Sequence, residues 1–168
     1  MKARRMAAVA ALGAAMVLSG TTAAPAGAQT SGTERFTLTA TFPQSGHTLR
    51  GKGTYTGLVN GNGTFTAGEG DHFGATLRTP KGSLHLDVTS GPSNDRFNPG
   101  ACLLSFAGTD TFDVVGGTGA FKGATGSGSD TTRGSLVFGR NKDGSCNLHA
   151  PIGGAITVQG QVQVTTGR

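Results

Sequence analysis

The chain has 168 residues and a formal charge of +5, from 14 Lys and Arg against 9 Asp and Glu. Three of those cations, Lys2, Arg4 and Arg5, precede residue 29, so the remainder carries a net charge of about +2 with no basic block or basic-aromatic interleaving. That ordinary surface excludes nucleic acid as a partner.

Residues 1–28 read as a signal peptide. Lys2, Arg4 and Arg5 form a basic start, Met6 to Leu18 an apolar stretch, and Ala26-Gly27-Ala28 a small-residue cleavage site. The apolar stretch is shorter than the roughly 20 residues a membrane-spanning helix needs. The residues behind Arg4-Arg5 lack the strong hydrophobicity of a twin-arginine signal, which favours general secretion. Cleavage near Ala28 is expected to release a secreted, extracellular chain with no membrane anchor, and the Ala-rich style of the leader is bacterial. Residues 29–168 then form one domain.

Helix signals are nearly absent beyond the leader, and period-two alternation replaces them. Phe36, Leu38, Ala40 and Phe42 share one face of a strand, with Thr37, Thr39 and Thr41 opposite. Phe73, Ala75 and Leu77 repeat the pattern, as do Leu84, Leu86 and Val88, then Leu136 and Phe138, then Ile156, Val158, Val162 and Val164. Turn chemistry bounds these runs at Asn60-Gly61-Asn62-Gly63, Thr79-Pro80-Lys81-Gly82 and Asn141-Lys142-Asp143-Gly144. Short strands joined by hairpins, one face apolar and the other rich in Thr, predict an all-β fold: a small closed antiparallel barrel of about eight strands, largely up-and-down. Glycines inside strands, among them Gly53, Gly57 and Gly160, suit its sharp bends.

Ser90 to Gly100 breaks the rhythm and reads as a long irregular connection, either a crossover or a lid in which Arg96 and Phe97 close one barrel mouth. Cys102 follows it. With Cys146 it makes an even pair in an exported chain, so the two are expected to form one disulfide.

The most informative stretch runs from Phe112 to Gly126. Phe112 and Val114 alternate as a strand face, Gly116-Gly117 permits a tight turn with at least one residue at positive φ, and Phe121 plugs the end of a core. Gly117-Thr118-Gly119 matches half of a dinucleotide fingerprint. Lys122 occupies the third glycine's place, and the glycine-rich residues that follow cannot form the helix that would hold a pyrophosphate. Nucleotide binding is therefore excluded here.

The run Phe112, Val114, Val115, Gly116 to Gly119, Phe121, Lys122, Ala124 and Gly126 resembles the allene oxide cyclase and dirigent barrel superfamily, over about fifteen residues. The resemblance implies the same barrel, secreted by a bacterium, and a cyclase-like, isomerase-like or stereo-directing activity. One departure bears on that activity: Thr125 stands where dirigent proteins usually carry Arg.

Chemistry-bearing clusters are sparse. His85 and Asp87 point away from the apolar face, and Glu69, Asp71 and His72 share a glycine-rich turn without a second ligand set, so no metal site and no cofactor is assigned. Alternation sends Asp113 outward and Asp110 inward with Phe112. The expected function is binding of a small hydrophobic or phenolic molecule, with Asp110, Arg96, Phe97, Tyr55 and Phe121 as ligand-binding residues and the mouth set between the Gly116, Gly117 and Gly119 turn and residues 91–100. Cyclase or isomerase chemistry is the alternative, without an assigned catalytic residue, and protease inhibition through residues 91–100 is a third class. The protein is expected to be a monomer or a small homo-oligomer.

Overall fold

A computed structural model describes residues 29–42 and 48–167; the expected signal peptide lies outside the described residues. Eight strands form a closed antiparallel barrel in sequence order, with β8 returning to β1. They are β1 (Thr30–Phe42), β2 (Leu49–Thr56), β3 (Gly61–Ala67), β4 (His72–Thr79), β5 (Gly82–Asn98), β6 (Leu103–Gly117), β7 (Thr125–Arg140) and β8 (Cys146–Thr166). A 3-10 turn, Gly119–Phe121, joins β6 to β7. The expected fold class is the observed one.

Alternation fills the interior. Phe36, Leu38 and Ala40 of β1 are buried while Thr37, Thr39 and Thr41 face water, and Leu84, Leu86 and Val88 of β5 turn inward in the same way. The apolar faces of all the strands thus meet along one axis, the cheapest way to hide them from water. Glycines in β7 and β8 make room for rings. A Cβ at Gly160 would meet Phe36 Cε2 at 2.7 Å, and one at Gly128 would meet Phe112 Cζ at 2.7 Å. Phe36 and Phe112 then lie with centroids 5.9 Å apart in the middle of the core.

The two ends of the barrel differ. At the closed end, Phe121, Ala124, Val59, Leu84 and Val164 are packed solid. The β6–β7 turn is tied down there by Thr118 N–H to the Ser83 carbonyl and Ala120 N–H to the Lys81 carbonyl, each 2.8 Å. Gly116 has φ +153 and Gly119 φ +59, as a turn of this kind requires. Glu34 is an inward carboxyl at the same end, 1 % exposed, with Oε2 accepting the Val59 N–H at 2.9 Å. Burial pushes its pKa up, against the pull of the Val59 and Leu58 N–H groups. Val59 is therefore held inside, so the β2–β3 turn is residues 57–60, and the Asn62-Gly63 pair expected in that turn lies within β3.

The second correction concerns residues 90–98. They are a continuation of β5, paired to β6 from Ser93↔Gly108 to Asn98↔Leu103 after an irregularity between Ser90 and Ser93. Pro92 cannot donate to a ladder, and the bulge lets the strand pass it. β4 stops pairing at His72↔Thr89 and β1 at Phe42↔Gly154, so β5, β6, β7 and β8 run on together as a four-stranded ribbon beyond the open end. The expected disulfide is present: Cys102–Cys146 joins the tips of the two ribbon hairpins, with Cα atoms 5.4 Å apart. Arg140 crosses the same tips, donating to the Gly100 and Gly144 carbonyls at 2.6 and 2.7 Å. The Gly116–Gly119 turn and residues 91–100 consequently sit at opposite ends of β5 and β6, and cannot frame one mouth.

Candidate functional site

The open half of the barrel is hollow. A cavity of about 140 Å³ is bounded by Phe36 and Leu38 of β1, Phe65 of β3, Phe73 and Leu77 of β4, Leu86 and Val88 of β5, and Ile156 and Val158 of β8. Small residues open it on the β3–β4 side, where Ala67, Gly68 and Ala75 lie on the wall. An apolar cavity of about 150 Å³ accommodates benzene, so the space here matches one ring.

One wall is different. Among the described residues, Asp110, Asp130 and Thr132, from β6 and β7, are the polar side chains lining the cavity. The β6–β7 ladder sets Asp110 directly across from Asp130, in the alternation that also points Phe112 inward. Asp110 Oδ1 accepts the Gly91 N–H at 3.3 Å, a donor supplied beside the β5 bulge. The Thr132 hydroxyl faces both acids, 3.3 Å from Asp110 Oδ2 and 3.3 Å from Asp130 Oδ1, and its one hydrogen can serve only one of them at a time.

Asp130 is pushed up to about 7. Burial is the largest cause, the negative charge of Asp110 comes next, the Thr132 hydroxyl opposes both, and a proton on Asp130 gains a further partner in Asp110. The arrangement thus holds a proton at an apolar wall near neutral pH, which ordinary aspartates do not. Linkage fixes the sign of its effect on folding. A carboxyl raised in the folded state favours folding fully below its unfolded pKa, near 4, and loses that contribution as pH rises through about 7. The melting temperature of the native protein is therefore expected to fall between pH 4 and pH 7. Asp130→Asn should reduce that slope, leaving the part that Glu34 contributes; thermal melts across the window measure both. An unchanged slope in Asp130→Asn would count against this role of Asp130.

Of the five residues expected to bind ligand, Asp110 lines the cavity and the other four do not. Tyr55 is 2 % exposed in the packed half, its hydroxyl donating to the Thr64 carbonyl at 3.0 Å. Burial, then the nearby charge of Glu34, pushes its pKa up to about 12. Phe121 is the plug of the closed end. Arg96 and Phe97 lie on the exposed ribbon part of β5, on opposite faces by alternation, with Phe97 in the row of Leu104 and Leu136. Asp130 is the residue that sequence reasoning missed. Its neighbours Ser127 to Thr132 carry no apolar alternation, and only the register of the β6–β7 hairpin brings it to Asp110.

Outside the cavity, Asp87 is exposed and His85 meets the Thr76 and Ser83 hydroxyls, each at 3.3 Å. Among the described residues no group of three or more His, Cys, Asp or Glu could hold a metal ion. No protein-family model, curated protein or solved structure matches the chain.

Proposed function

We propose that this is a secreted barrel protein that binds one small hydrophobic or phenolic molecule in the open half of its interior. The observation that carries the reading is the cavity itself: about 140 Å³, apolar among its described lining residues except on one side, with two facing carboxyl groups there. Apolar walls supply affinity and a few placed polar groups supply orientation, the usual division in small-molecule sites. The likeness of Phe112–Gly126 to the allene oxide cyclase and dirigent superfamily supports the same reading. Export is supported by the leader and by a disulfide of the kind oxidising compartments retain.

Titration with toluene and p-cresol, followed by ligand-observed NMR, tests it. Saturable binding is expected. Ala75→Leu, which fills the cavity from its small-residue side, should weaken binding at least tenfold without loss of the fold. Absence of binding by both probes would leave a scaffold with a hollow and no ligand.

A second reading, cyclase or isomerase chemistry, is favoured by the facing of Asp110 and Asp130 across the ladder, where burial and the Asp110 charge push Asp130 up to about 7, a value suited to acid-base work at neutral pH. Thr125, in place of the Arg usual in dirigent proteins, weakens it. The third class, protease inhibition, was expected of an irregular loop at residues 91–100; most of that segment is instead an exposed strand paired to β6.

A further inference from the structure

The cavity is two-sided. β3 lies four places round the ring from β7, so Ala67 faces the interior roughly opposite Asp130 and the roomy apolar wall stands across from the acidic one. Among the described residues, every polar side chain on the lining is an acid or the hydroxyl that serves them, and no Lys or Arg lines the cavity. Like charges placed directly opposite in a ladder repel. Burial and the neighbouring charge of Asp110 raise the Asp130 pKa, which is the mark of two acids set together on an apolar wall.

Ligand classes differ in what they do to such a wall. An anion would add a third negative group with no cation among the described lining residues to meet it. A phenol brings one donor for two acceptors and leaves the repulsion standing. An ammonium brings three donors and a positive charge, enough for both carboxylates and the Thr132 oxygen.

Resting on the reading that the cavity binds a ligand, we propose that the ligand is a small apolar cation: one ring or branched alkyl group seated against Ala67 and Ala75, with a protonated amine between the Asp110 and Asp130 carboxylates. The ring has the space described above, and the ammonium supplies the positive charge that the two facing acids lack. Binding is thus governed by the head group and not by the ring alone.

Isothermal titration of the folded protein at neutral pH with toluene, p-cresol, benzylamine and benzoate separates the classes, because the ring is held constant. Benzylamine is expected to bind at least tenfold more tightly than p-cresol, as hydrogen bonds to charged groups exceed neutral ones by about that factor. Benzoate is expected not to bind. Asp110→Asn with Asp130→Asn should bring benzylamine to within a few fold of p-cresol. Asp130→Asn alone serves as the second variant if the pair fails to fold, and should lose part of the preference. Equal or tighter binding of p-cresol, or an amine preference that survives removal of the carboxylates, would overturn the assignment while leaving the cavity's role intact. Failure of all four probes to bind would overturn the cavity reading as well.

Discussion

Phe121→Ala is expected to lower the stability of the protein by about 3–5 kcal/mol, the range for removing a buried aromatic side chain. The upper part of that range is the expectation here because the site cannot collapse. Phe121 is 1 % exposed, and the turn that carries it is fastened through the bonds of Thr118 and Ala120 to Ser83 and Lys81, with Ala124 N–H to the Phe121 carbonyl at 3.0 Å. Those bonds do not depend on the ring, so the hole remains. Chemical denaturation measures the loss. The same variant separates a plug from a ligand contact: Phe121 does not line the cavity, so toluene affinity per folded molecule should be unchanged. A drop in affinity with full folding would mean that the packed half and the hollow half are not independent.

Replacing Cys102 and Cys146 together by Ser is expected to cost up to roughly 4 kcal/mol, from the entropy of a closed loop with a sequence separation of 44. Where the loss is felt follows from where the bond sits. It ties two hairpin tips at the far end of the ribbon, where residues 91–100 are all exposed and β5 and β8 each have one unpaired edge. The barrel ladders do not pass through it. The melting temperature should fall, and amide exchange should rise most in residues 91–108 and 131–155 while the Phe36 and Phe112 amides stay protected. A uniform rise would show that ribbon and barrel open as one unit.

The barrel was legible because alternation is imposed wherever one strand face meets a core and the other meets water, as Phe36 to Thr41 and Leu84 to Val88 display. The cysteine pairing was legible from count and compartment. Residues 90–98 were not: Ser90, Ser93, Asn94 and Asp95 lie where water reaches both faces of the ribbon, and a strand so placed leaves no period to read. The β2–β3 turn was misplaced by about three residues for a different reason. Two Asn-Gly pairs and Gly57 all permit a turn, and the choice among them is made by the buried Glu34 carboxyl holding Val59. Bulky inward residues such as Tyr55 and Phe121 are recognisable as core in sequence, but not by which half of the barrel they fill. Asp130 shows the same limit at the site. An acid among Ser, Gly and Thr acquires meaning only from the strand across from it.

The closed ring also sets the order in which the molecule can be made. Seven of its eight seams join neighbours in sequence, each a hairpin that a growing chain can zip from its own turn. The eighth, from Thr30↔Thr166 to Phe42↔Gly154, joins the first strand to the last. Nearly all the non-local cost of the topology is concentrated in that single ladder, and a chain that has formed the other seven is a curled sheet with two long open edges until it closes. Phe36 and Leu38 stand on the first of those edges and Ile156 and Val158 on the last, so the closing step is also the one that walls in the hollow.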